Sequence, residues 1–252
     1  MTRGDGSDER HIALVVQYDG TDYGGFQRQP HVPTIQDEIE QALSGLLREP
    51  IHIVGASRTD AGVHALGQVV AFRTTNPIPV ERLPRAANGA LPAAIAVVEA
   101  AEVPADFHPR FDAIGKLYTY RILNRPLRSP FICRYAWHID RPLDVDAMRV
   151  AAEVLIGEHD FAAFCAAGSS VKTTVRHLYR LDIDTDGDVV ELRLGADGFL
   201  YMMVRIIVGT LVQVGLGEQR VEWVADVLAG ADRRLAGPTA PPQGLCLVRV
   251  DY

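Results

Sequence analysis

Apolar residues recur at every second position over Ile12, Leu14, Val16 and Tyr18, then at helical spacing through Ile35, Ile39, Ala42, Leu43, Leu46 and Leu47. A chain whose period changes in this way must mix strands and helices, because neither spacing lines one buried face in the other conformation. Thr34, with Asp37 three residues on, marks the helix start. Apolar runs over Ile51 to Val54 and Gln68 to Phe72 predict strands, Val80 to Asn88 a short helix and Ala94 to Ala101 another strand, so the order is β-α-β-β-α-β. After Val103-Pro104 a comparable pattern begins. It has a strand over Lys116 to Leu123, a helix carrying Val145, Met148, Ala152 and Leu155, and two strands joined by an Asp-Gly turn. An apolar helix from about Phe199, a helix near Val221 to Leu228 and a closing strand over Leu245 to Val250 complete it. The expectation is an α+β fold of two similar lobes, each a mainly antiparallel sheet with helices on one face. Residues 1–10 read as a flexible tail, 11–105 as the N-terminal lobe with a polar loop of catalytic type, and 106–252 as the C-terminal lobe. If the sheets join edge to edge, their uncovered faces form one broad concave surface.

Of the 252 residues, 48% are hydrophobic and 23% charged, enough apolar material for a sizeable core. The 25 basic residues are outnumbered by 32 acidic ones, for a net charge of -7, which excludes a uniformly basic nucleic-acid wrapper and leaves room only for a local basic surface. Three cysteines, Cys133, Cys165 and Cys246, lack CxxC spacing, so reduced thiols and a cytoplasmic location are expected. The polar N-terminus lacks a secretory signal's apolar core. Phe199 to Leu216 is apolar, but Arg205 at its middle would cost about 2.5–3.5 kcal/mol in a bilayer, so a buried helix with one functional or paired arginine is expected and no membrane partner.

Chemistry concentrates in Gly55-Ala-Ser-Arg-Thr-Asp-Ala-Gly-Val-His64, which packs polar side chains between two apolar runs with glycines at both ends. Arg58 beside Asp60 favours an ionised carboxylate, as a nucleophile or general base requires; a plain strand connection with a local ion pair has the same composition. Pro109 to Arg134 holds Arg110, Lys116, Arg121, Arg125, Arg128 and Arg134 against one acid, Asp112. Tyr118 and Tyr120 stand among these cations at strand spacing, a mixture suited to splayed RNA or, more plainly, to a solvated strand. Lys172, Arg176, His177 and Arg180 extend the basic character. Asp182-Ile-Asp-Thr-Asp-Gly187 starts like a calcium loop, but its twelfth position is Arg193, so a hairpin turn at Asp186-Gly187 is expected. No spacing suits a metal site, and no glycine motif suits a dinucleotide or nucleoside triphosphate; neither metal nor cofactor is expected.

Several segments in order resemble the TruA family of tRNA pseudouridine synthases: Tyr18-Asp-Gly-Thr-Asp-Tyr-Gly-Gly-Phe-Gln-Arg-Gln29, Arg58-Thr-Asp-Ala-Gly-Val-His64 with Gly67-Gln-Val69, Phe107-His-Pro-Arg-Phe111, Tyr118-Thr-Tyr120, His159-Asp-Phe161 and Met203-Val-Arg-Ile-Ile-Val-Gly209. The resemblance implies isomerisation of uridine to pseudouridine at positions 38, 39 and 40 of the tRNA anticodon arm, without cofactor or metal, by a homodimer with a central RNA-binding cleft. It implies that Asp60 is the essential carboxylate, acting on sugar or base or through a glycal-like species. It implies that Tyr118 stacks on the flipped base, that Arg205 pairs with the Asp60 carboxylate and that Arg58 fills the vacated space or meets a phosphate. Ser57 stands where the family's motif has Gly, implying less backbone freedom in the loop, and Met202 where it has a polar residue. Arg121, Arg125 and Arg128 are the expected RNA path.

Overall fold

Alternation over Arg10–Tyr18 produces strand β1, with Ile12, Leu14, Val16 and Tyr18 buried and their neighbours partly exposed. In this computed structural model, residues 9–168 and 171–252 are described. The chain divides into two units, one ending at Ala113 and the other beginning at Ile114, later than the expected boundary at 105/106. Residues 1–8 of the expected tail lie outside the described residues, and Arg10 already opens β1. The fold is α+β.

In the first unit β1 pairs antiparallel with β3 (His64–Thr74) and with β4 (Ile95–Glu102). Two-residue β2 (Val54–Gly55) pairs with β3, so only the end of the expected 51–54 strand forms. Helix α1 (Ile35–Leu47) starts at Thr34, whose hydroxyl accepts the Asp37 amide and donates at 2.6 Å to the Asp37 carboxylate, a reciprocal cap. Its stripe buries Ile35, Ile39, Leu43 and Leu47. The segment expected as one short helix is a 3₁₀ turn over Val80–Arg82 running into α2 (Leu83–Asn88).

In the second unit β5 (Gly115–Asn124) lies antiparallel between β10 (Leu245–Asp251) and β9 (Val189–Ala196), and β9 continues through β8 (Val175–Asp186) to β7 (Gly157–Asp160). The β8–β9 turn carries Gly187 at φ 56, the hairpin expected there. β6 (Trp137–Ile139) pairs parallel with β5 and, like β7, is too short to have shown a period in the sequence. Helix α3 (Val145–Ala152) hands over to a 3₁₀ turn before the expected Leu155. Helix α4 (Met203–Gly215) begins four residues after Phe199, because Met202 is left-handed at φ 59 and stops the helix there. It is buried nearly all round, as an apolar helix with no polar face must be. Helix α5 (Trp223–Gly230) follows. Among the described residues, no helix is long and apolar enough to cross a membrane, and no cluster of His, Cys, Asp or Glu suits a metal ion.

Candidate active site

Asp60 lies in the loop between β2 and β3, and its carbonyl accepts the Val63 amide at 3.1 Å. Gly62, at φ 78, closes that turn in a conformation side chains disfavour. Two glycines of the segment after β1 press on the loop. A Cβ on Gly20 would stand 2.0 Å from the Val63 carbonyl oxygen, and one on Gly25 2.8 Å from that of Thr59. The Phe26 amide donates to the same Thr59 carbonyl at 3.0 Å. Strand residues hold the loop from within the unit. The Tyr18 hydroxyl and the Thr59 hydroxyl are 2.8 Å apart, and fully buried Gln68 donates to the Ser57 carbonyl at 2.7 Å while accepting the Ser57 amide at 3.1 Å. Buried His64 places Nδ1 3.2 Å from the Gly20 amide and from an Asp19 carboxylate oxygen. The loop is thus anchored on both sides of Asp60, which stays half-buried, while Arg58 is exposed. Ser57 has no left-handed backbone angle, so the position does not need the glycine of the family motif.

The tyrosines of β5 face the same way, as expected, but both are buried rather than presented on an open surface: Tyr118 is 7% exposed and Tyr120 0%. Tyr118 meets Phe199 edge to face at 5.1 Å. Tyr120 donates from its hydroxyl to the Pro241 carbonyl at 2.7 Å, and burial, against a smaller opposing effect of the Arg205 charge, pushes that hydroxyl's pKa far up. Arg205, half-buried on α4, donates from Nε to the Ala240 carbonyl at 2.8 Å, and the Ala240 amide donates to the Arg205 carbonyl at 3.0 Å. Arg205, in the first turn of α4 rather than at mid-helix as expected, is therefore held by a segment, residues 237–244, that shows no strand or helix period in the sequence. Its Gly-Pro-Thr-Ala-Pro-Pro-Gln-Gly composition is the available signal of an irregular strap, which ends in a 3₁₀ turn over Pro242–Gly244.

The basic stretch differs from expectation. Arg121 pairs with Glu191, its cross-strand partner on β9, at 2.8 Å, and Arg125 reaches Asp188 at 3.3 Å. Burial alone would raise the Glu191 carboxyl; hydrogen bonding to Arg121 and the charges of Arg121 and Arg193 outweigh it and hold the group below the usual carboxylate range. A run with a single acid in sequence is met by acids of the β8–β9 hairpin, one on the facing strand and one at the turn. Arg180, by contrast, pairs with Asp182, two residues on along β8 itself. Arg128 is exposed.

A family model described as tRNA pseudouridine synthase matches residues 14–112 and 151–252. The tRNA pseudouridine synthase A of Thermoanaerobacter sp. (strain X514) is 48% identical over 243 residues, covering 96% of this chain and 100% of that one. The protein of the same name from Geobacter sp. (strain M21) is 49% identical over 244 residues, covering 96% and 99%. That of Moorella thermoacetica is 49% identical over 243 residues, with the same two shares. With the motif residues of both units so placed, and relatives aligned along almost the whole chain, the protein belongs to the tRNA pseudouridine synthase family.

Proposed function

We propose that the protein converts uridine to pseudouridine at positions 38, 39 and 40 of the anticodon stem-loop of tRNA, with Asp60 as the essential carboxylate. The observation that carries the assignment is the anchoring of the Asp60 loop by Tyr18, Gln68 and the two close-packed glycines, since a reacting group must be held in place before substrate arrives. The reaction breaks the C1′–N1 bond and forms C1′–C5. N1 gains a proton, C5 loses one, and no net oxidation occurs, so neither cofactor nor metal is needed. The target uridine leaves its stack, at a cost of a few kcal/mol. Tyr118 stacks on the extruded base, Arg58 fills the vacated space or meets a phosphate, and Arg205 supplies the positive counter-charge that keeps a carboxylate ionised. Asp60 adds to sugar or base, or stabilises charge on the way to a glycal-like species; each route requires the carboxylate. The active form is a homodimer acting on tRNA in the cytoplasm, where three free cysteines are at home.

The test compares Asp60→Asn with wild type on unmodified tRNA transcripts in EDTA, mapping pseudouridine by position. The variant should bind tRNA with little change and form no product, while wild type modifies positions 38 to 40. Turnover by the variant within about tenfold of wild type removes Asp60 from the chemistry.

A further inference from the structure

Residues 237–244 cross α4 and reach β5 through a series of close contacts. A Cβ on Gly237 would stand 2.7 Å from the Thr210 Cα, and one on Gly209 1.7 Å from the Pro238 carbonyl oxygen. The Thr210 hydroxyl accepts the Gly237 amide at 3.0 Å. Next along the strap, Ala240 exchanges two hydrogen bonds with Arg205, one through the guanidinium. Then Pro241 accepts the Tyr120 hydroxyl, and a Cβ on Gly244 would lie 2.6 Å from the Tyr120 ring. Pro241 sits at φ -57 and is followed by Pro242, so little backbone freedom separates the Tyr120 anchor from the carbonyl that orients Arg205.

We infer that Tyr120 is a positioning residue for Arg205, acting through the Pro241 and Ala240 carbonyls of the strap. The inference rests on the proposed role of Arg205. Tyr120 touches no reacting atom; its hydroxyl fixes the strap, and the strap fixes the Nε–H of the arginine. The hydroxyl stays protonated across the working pH range, because burial drives its ionisation far up. It therefore remains a donor throughout.

Steady-state pseudouridine formation with unmodified tRNA in excess tests this with Tyr120→Phe, Arg205→Ala and the double variant, each rate referred to the folded fraction from a thermal melt. Tyr120→Phe keeps the ring and removes one hydrogen bond, so the fold should persist and kcat should fall about three- to tenfold with KM nearly unchanged. In the Arg205→Ala background the same change should cost nothing further, since there is no guanidinium left to orient. Pro241→Ala, which keeps the carbonyl but loosens the strap, should repeat the kcat loss. Full activity of Arg205→Ala would overturn the role of Arg205 itself. A large loss there, with Tyr120→Phe at wild-type rate or with the two losses multiplying, would overturn the positioning role of Tyr120 alone.

Discussion

The Tyr18 hydroxyl lies 2.8 Å from the Thr59 hydroxyl in a buried contact one residue before Asp60, joining the end of β1 to the loop that carries the carboxylate. Gln68 approaches the same tyrosine oxygen at 3.4 Å and holds Ser57, so one side-chain chain runs beneath the loop. Tyr18→Phe leaves the Thr59 hydroxyl short of a buried partner, and a stability loss of about 1–3 kcal/mol follows from that desolvation. Its kcat should fall more than its tRNA affinity, because the loop and not the RNA contact is loosened. Chemical denaturation, steady-state kinetics and tRNA-binding measurements together check this; wild-type kcat in a destabilised variant would mean that Asp60 does not depend on this support.

Two glycine substitutions make a second, paired test. Gly25 has φ 106 and lies against the Thr59 carbonyl, so Gly25→Ala combines a disfavoured backbone with a steric conflict and should cost roughly 1–3 kcal/mol, with loss of activity. Gly45, inside α1, has nothing within 4 Å of an added Cβ. There alanine should stabilise by about 0.5–1 kcal/mol through helix propensity and leave activity unchanged. Thermal melts of the two variants should therefore move in opposite directions.

Salt dependence separates the arginines of β5 and the loop after it. Arg128 is exposed, and replacing it should lower the counterion-release slope by about 0.7–0.9 if it meets a phosphate. Arg121 is already paired with Glu191, so Arg121→Ala should change the slope less while weakening binding through the carboxylate it uncovers. Dissociation constants from about 50 to about 300 mM salt give both slopes. Equal slopes for Arg128→Ala and wild type would remove that arginine from the RNA path.

Acid sensitivity should have an identifiable contributor in Glu49. Hydrogen bonds from Thr74 first, offset in part by burial, and then from Thr75 hold its carboxyl below the ordinary 4.5. A carboxyl with a lowered folded pKa contributes stability that is present above its unfolded pKa and is lost as pH falls through the folded value. Glu49→Gln should thus be less stable than wild type near neutrality and converge with it in strong acid. Denaturation midpoints taken from pH 7 downward would show parallel curves if the group contributes nothing.

Sequence periodicity carried local structure furthest. Thr34 and Asp37 marked the α1 start because the cap is made by residues three apart, and Asp186-Gly187 marked the hairpin for the same local reason. Asp60 and Arg58 stood out by composition between apolar runs. Their supports did not, because Tyr18 and Gln68 lie 50 positions apart and meet only when β1 pairs with β3. Cross-strand pairing also hid the acids that neutralise Arg121 and Arg125. The Tyr118 and Tyr120 pair shows both sides: spacing placed them on one face, while nothing local indicated that the face is covered.

The strap beside Arg205 carries Pro238, Pro241 and Pro242 within a few residues. Proline narrows the conformations open to the unfolded chain, so less entropy is surrendered when this stretch takes its native path. The ordering around the arginine is completed once, when the protein folds, and is not repeated each time a tRNA arrives. A flexible sequence with the same contacts would have to immobilise the guanidinium at every encounter, and that cost would fall on substrate affinity or on rate.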